Sequence, residues 1–136
     1  MKCLIAEDDL ISRRILTELL SAFGSCDIAV NGKEAVDSFK LAHEAKRPYD
    51  VIFMDIMMPI VDGMEALLSI RALEKQMGIP YNLATKVVMT TALGDPHTVI
   101  KSFNTCEADA YIVKPLSRQK LEKELRALKL IGACPT

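Results

Sequence analysis

Four places in this 136-residue sequence put chemically capable side chains directly after short apolar runs. The run 51–54 is followed by Asp55, the run 2–6 by Glu7, Asp8 and Asp9, the run 87–89 by Thr90 and Thr91, and the run 111–113 by Lys114 and Pro115. If these runs are parallel strands of one sheet, their polar ends converge on the edge where open α/β sheets bind ligands. A single strand-end aspartate would weigh little, because carboxylates also cap the helix that follows a strand. Three or four acids meeting a hydroxyl and an ammonium weigh more.

Like charges at close range repel and raise one another's pKa unless a cation neutralises them. Oxygen donors with no His or Cys beside them suit magnesium, with manganese as an alternative. Lys114 and Thr91 would add a positive charge and a hydroxyl donor for an incoming anion, so the pocket reads as one for a metal and a phosphoryl group together. Asp55 then has a role as a carboxylate nucleophile that forms an acyl phosphate and needs no general base. Charge on the equatorial oxygens would be neutralised by Lys114 and the metal.

The elements that must hold these groups alternate along the chain. The run 51–54, unbroken and bounded by Asp50 and Asp55, reads as a strand buried on both faces. A helix over 10–23 carries Ile11, Ile15, Leu19 and Phe23 at four-residue spacing and stops at Gly24. A strand over 26–30 leads to Asn31-Gly-Lys-Glu34, a capping box opening a helix to Lys46 with Ala35, Val36, Phe39 and Ala42 inward. Asp62-Gly63-Met64-Glu65 opens a third helix with Met64, Leu67, Leu68 and Leu73 available for the core, and 76–86 reads as an exposed, mobile loop. Asp95-Pro96 starts a helix to about 104, 110–113 is the last strand, and Ser117 caps a final helix carrying Leu121, Leu125, Leu128 and Ile131. Five strand–helix alternations predict a flavodoxin-like doubly wound (βα)5 α/β domain with a five-stranded parallel sheet in the order 2-1-3-4-5. That order places Glu7, Asp8 and Asp55 side by side. The expected domain is 1–131, with 132–136 a frayed tail.

Half the residues are apolar and the net charge is −1, which argues against a polyanion-binding protein. Cys3, Cys26, Cys106 and Cys134 form no CxxC pair and read as reduced, buried or incidental thiols. The early first strand leaves no room for a signal peptide, and no apolar run is long enough to span a bilayer, so the expected location is cytoplasmic.

With these residues in hand, the whole chain resembles a response-regulator receiver domain of two-component signalling, in the stand-alone CheY-like form. The resemblance is carried by Glu7-Asp8, Asp55 with Met58-Pro59 and Asp62-Gly63, Thr91-Ala92, and Tyr111-Ile-Val-Lys114-Pro115, in order. It implies that Asp55 is phosphorylated by a sensor histidine kinase or a histidine phosphotransfer protein, and that the domain catalyses this modification and its slow loss rather than turning over a substrate. It also implies magnesium bound directly by Asp8 and Asp55, by the Met57 backbone carbonyl, and by Glu7 through water. Thr91 and Lys114 would hold the phosphoryl oxygens, the Lys114–Pro115 bond would be cis, and Thr91 and Tyr111 would form the switch. Met57 and Leu93 match the positions that tune the lifetime of the phosphorylated state. Output would pass to a downstream protein, with no nucleic acid or membrane involved, through the face made by the 95–104 helix, the last strand and the last helix. The chain would be a monomer or a phosphorylation-dependent dimer.

Other readings stay beside these. Asp9 reads as a helix cap, and alternation sends Thr90 and Thr91 to opposite faces, with Ala92 favouring Thr91. Tyr111 could instead pack as an edge-strand aromatic. Arg13 and Arg14 read as a solvated helix face, His43 and His97 as surface residues, and the methionines as core filling except for an exposed Met57. Cys106-Glu107 departs from the small Gly-Ala pair usual before the last strand. The chain could also be a phosphorelay intermediate or the receiver of a hybrid kinase, although its start at Met1 argues for a complete protein. A haloacid-dehalogenase-like phosphatase needs a second acid where Met57 stands, and a flavodoxin-type FMN carrier would find its phosphate repelled by residues 7–9.

Overall fold

The computed structural model describes residues 1–92 and 107–132. Strands and helices alternate as β1 (Lys2–Ala6), α1 (Leu10–Leu20), β2 (Ser25–Ala29), α2 (Gly32–Glu44), β3 (Val51–Asp55), α3 (Gly63–Gln76), β4 (Lys86–Thr91), β5 (Ala110–Val113) and α4 (Arg118–Ala127), with a 3₁₀ turn at Tyr81–Leu83. The helix expected over 95–104, together with Leu93, His97, Cys106 and Cys134, lies outside the described residues.

The five strands are parallel and ordered β2-β1-β3-β4-β5, the flavodoxin-like doubly wound arrangement. Parallel neighbours need crossover connections, and right-handed crossovers on either side of β1 and β3 send helices to both faces. Alternate strand residues therefore enter two separate cores. Leu4, Ile52, Met54, Val87 and Met89 pack with Phe39, Leu67 and Ile70 of α2 and α3. Cys3, Ile5, Val51, Phe53, Val88 and Ile112 pack with Leu16 and Leu20 of α1 and Leu121 and Leu125 of α4. All five residues of β3 are buried, which is what its unbroken apolar run predicts.

The helices correct the sequence reading in places. α1 ends at Leu20, and it buries Leu16 and Leu20 while Ile11 stays 69% and Ile15 37% exposed. Leu19 and Phe23 do pack, partly buried, against the same core; a strict spacing of four drifts by about 40° per step, so the two ends of such a row diverge by about 120° and the first two residues turn away from it. Along α3 the buried apolar side chains are Ala66, Leu67 and Ile70, Met64 and Leu73 pack partly buried beside them, and Leu68 is exposed. The 76–86 connection is largely exposed, as expected, and ends on the buried Thr85. His43 is half-buried rather than fully exposed: its ring meets Phe39 edge-on at 4.6 Å, and its buried Nε2 has no hydrogen-bond partner among the described residues. Cys3 and Cys26, which looked scattered, sit opposite each other in the β1–β2 register, and burial pushes the Cys3 thiol up to about 12.

Candidate functional site

Register sets the site. Ala6 pairs with Met54, so the next residue of each strand, Glu7 and Asp55, leave the sheet side by side, and Asp55 itself pairs with Thr90. Beyond Glu7 the chain turns at once into α1, where Asp9 accepts from the Ser12 N–H at 2.9 Å and caps the helix. That turn brings Asp8 back over the strand ends. Carboxylate oxygens of Glu7, Asp8 and Asp55 all lie within 4.8 Å of one another. Lys114 enters from the far side of β4, its N–H donating to the Thr91 carbonyl at 2.7 Å. Its Nζ lies 3.1 Å from Glu7 Oε2 and 3.6 Å from Asp55 Oδ2. The expected convergence of acids and ammonium is thus present.

These charges are poorly solvated. Glu7 is completely buried and Asp55 is 5% exposed, while Asp8 faces solvent. Burial first, and then the neighbouring Asp55 charge, push the Glu7 carboxyl up to about 7, against the opposing pull of Lys114. Burial also raises the Asp55 pKa, with Lys114 as the largest counterweight. Among the described residues, Lys114 is the cation that meets Glu7 Oε2, at 3.1 Å, and no other donor reaches that oxygen. The pocket therefore holds more negative charge than its one ammonium offsets. An all-oxygen donor set, an oxygen that meets no donor but that ammonium, and mutual repulsion together fit a hard divalent cation such as magnesium.

The loop after Asp55 is held tightly. The Met57 N–H donates to Asp55 Oδ1 at 3.3 Å, and the Gly63 N–H to the Ile56 carbonyl at 2.9 Å. A Cβ on Gly63 would run into the Asp55 carbonyl, and one on Gly32 into the Val61 carbonyl, so both helix starts need glycine for close backbone approach. The Gly32 N–H donates to that Val61 carbonyl at 2.9 Å, tying the start of α2 to the loop. Met57 is 74% exposed at the rim, and Ile60 is 77% exposed with φ at +70°, a costly conformation for a β-branched residue.

The remaining candidates lie around this centre. Thr91 is buried at the end of β4, on the face that Met89 shares. Thr90 is also fully buried, and its hydroxyl finds no hydrogen-bond partner among the described residues. Tyr111 stands on the edge strand β5 and is 39% exposed. The Lys114–Pro115 peptide bond is cis. Arg14 is exposed and Arg13 half-buried on α1.

Reading the residues by type missed Arg71, because an arginine in an amphipathic helix reads as a solvated charge. It is buried instead. Its Nη1 donates to Glu74 Oε1 and to the Thr85 carbonyl, both at 2.8 Å. Its Nη2 donates to Asp109 Oδ2 and to the Glu107 carbonyl, both at 2.9 Å, and Nε adds a second bond to that carbonyl. Glu107, whose φ is +60°, is thus held in the left-handed region where glycine is usual. The only available sequence signal was Glu74 one turn after Arg71.

A family model described as "Response regulator receiver domain" matches residues 3–126. The chain is 35% identical over 133 residues to the two-component response regulator ORR41 of Oryza sativa subsp. japonica, covering 96% of this chain and 95% of that protein. Other curated relatives are longer. The chain spans 47% of the probable transcriptional regulator ycf27 of Cyanophora paradoxa and 12% of the probable histidine kinase 2 of Oryza sativa subsp. indica, at 35% and 33% identity. Among solved structures it resembles the receiver domain of the histidine kinase CKI1 from Arabidopsis thaliana complexed with Mg2+ and BeF3−, with a TM-score of 0.80, 27% identity, and 96% and 90% of the two chains covered. It also resembles the complex of the Saccharomyces cerevisiae histidine phosphotransfer signalling protein Ypd1 with the receiver domain of Ssk1, with a TM-score of 0.79, 30% identity, and 91% and 85% covered. The chain belongs to the response regulator receiver domain family.

Proposed function

We propose that Asp55 accepts a phosphoryl group from a phosphohistidine on a sensor histidine kinase or a histidine phosphotransfer protein, and that the modified domain switches a protein-binding face. The observation that carries this reading is the Asp55 carboxylate held at the end of β3 with Lys114 Nζ at 3.6 Å and two further carboxylates within 4.8 Å. Two related structures support it, the Ssk1 receiver domain in complex with the phosphotransfer protein Ypd1 and the CKI1 receiver domain complexed with Mg2+ and BeF3−.

The ionised Asp55 carboxylate is already a nucleophile. One of its oxygens bonds to phosphorus as the phosphorus–nitrogen bond of the donor breaks and the imidazole keeps the electron pair. The Lys114 ammonium neutralises charge on the equatorial oxygens, and the Thr91 hydroxyl donates to one of them. Asp8, Asp55 and the Met57 carbonyl would hold magnesium directly, with Glu7 acting through water. When bound, the ion supplies Lewis-acid charge neutralisation. Tyr111 then follows Thr91 inward, changing the face that β5 and α4 present. Met57 and Leu93, both apolar, misplace attacking water and lengthen the phosphorylated state. Met57→Asn should therefore hydrolyse faster than wild type, measured by loss of phosphoprotein, and an unchanged half-life would refute this role.

The working domain in this proposal is 1–131, acting in the cytoplasm on a downstream protein. A second reading, the receiver segment of a longer kinase, is favoured by the relative of which the chain spans only 12%. The test of phosphoryl acceptance is incubation with acetyl phosphate and magnesium, followed by intact mass. Wild type should gain one phosphoryl group and Asp55→Ala none. No gain by the wild type, or equal gain by the variant, would sink the proposal.

A further inference from the structure

All four described helices open on a side-chain cap. Asp9, Asn31, Asp62 and Ser117 accept from the N–H groups of Ser12, Glu34, Glu65 and Lys120 at 2.9, 2.8, 2.9 and 3.2 Å. In α2 and α3 this third helical residue is a glutamate, whose charge suits the positive end of the helix, and in α1 it is the uncharged Ser12. In α4 it is Lys120, a charge of the wrong sign, and the first turn contains no acid. Lys120 is exposed, but its ammonium is tied to the protein. It turns back and donates to the carbonyls of Val113 and Pro115, each at 2.9 Å.

Those two carbonyls flank Lys114. The Lys114 N–H is itself bound to the Thr91 carbonyl at 2.7 Å. The backbone around the pocket's ammonium is therefore held from both sides: from β4 at its N–H, and from α4 at the carbonyls before and after it. A local rule broken at a helix start, together with two charge-assisted bonds into the loop that carries a site residue, marks a functional device.

We propose that Lys120 is a positioning residue. It locks the Val113–Pro115 backbone so that Lys114 Nζ stays between Glu7 and Asp55 when a phosphoryl group arrives. Its effect on rate rests on the reading of Asp55 as the acceptor; its effect on the Lys114 backbone does not. The test uses the full chain in two measurements. In the unphosphorylated protein, amide hydrogen exchange at Lys114 should rise roughly tenfold in Lys120→Met and stay near wild type in Lys120→Arg, with Leu4 and Phe53 unchanged. With acetyl phosphate and magnesium, Lys120→Met should gain phosphoryl about five- to tenfold more slowly, and Lys120→Arg, which can still reach both carbonyls, should recover most of the rate. In a Lys114→Ala background, Lys120→Met should cause no further loss.

Unchanged exchange at Lys114 in Lys120→Met would overturn the proposal. So would an Arg variant as slow as the Met variant, or an equal loss in the Lys114→Ala background. Should Lys120→Met fail to fold, Lys120→Ala, which also removes the donor, carries the same comparison. If the wild type gains no phosphoryl group, the reading of Asp55 fails and the exchange measurement alone decides the role of Lys120.

Discussion

Glu7 is completely shielded from solvent yet faces two other carboxylates, so its charge state links the site to stability. Its folded pKa of about 7 lies above its ordinary 4.5, so between those values the folded chain holds a proton that the unfolded chain releases. This contribution to stability is complete below about 4.5 and is lost as pH climbs through about 7. In magnesium-free buffer, thermal melts should show wild type losing stability from pH 5 to pH 8, and Glu7→Gln losing less. A variant with the same slope would show that Glu7 is not the group responsible. The same substitution should weaken magnesium binding, because it removes a negative charge from the cluster.

At the scale of elements, Arg71 joins α3 to the starts of β4 and β5 through Thr85, Glu107 and Asp109. Both carboxylate partners sit in the same low-solvent region, with Arg71 Nη1 2.8 Å from Glu74 and Nη2 2.9 Å from Asp109. Removing the guanidinium leaves the buried Glu74 without its cation and the half-buried Asp109 with only Lys86, at 4.0 Å. Arg71→Met should cost about 3–5 kcal/mol in urea unfolding. A loss within about 0.5 kcal/mol, the range of ordinary surface substitutions, would show that the network is incidental. The junction of β3 and α3 makes a separate prediction. Gly63→Ala forces a methyl group against the Asp55 carbonyl, which should cost about 1–3 kcal/mol and slow phosphoryl gain together. Full activity at wild-type stability would mean that the loop adapts freely.

At the scale of the whole molecule, a ligand that binds only the folded state stabilises all the packed layers at once. Magnesium at a hundredfold excess over its Kd should raise the unfolding free energy by about 2.7 kcal/mol. Asp8→Ala should abolish that gain while melting in metal-free buffer at or above the wild-type temperature, since Asp8 is exposed and adds to the repulsion. Calorimetry with and without magnesium checks both halves. A wild type indifferent to magnesium would remove the cation from the mechanism.

The alternation of apolar runs and capped amphipathic segments was legible in the chain itself, and with it the sheet order and the acids at its edge. These follow from local rules: a buried parallel strand is continuously apolar, and a crossover must bring the next strand back parallel. The roles of Arg71 and Lys120 and the pairing of Cys3 with Cys26 were not legible. Arg71 meets carbonyl and carboxylate partners 36 and 38 positions away, and Cys26 is placed opposite Cys3 only by the β1–β2 register. The face α1 buries was read only in part: Leu19 and Phe23 pack on the core, but Leu16 and Leu20 fill it while Ile11 and Ile15 stay exposed. Periodicity says that a segment has an inward side. Only packing against distant residues decides which side that is, and which charges it leaves to find one another.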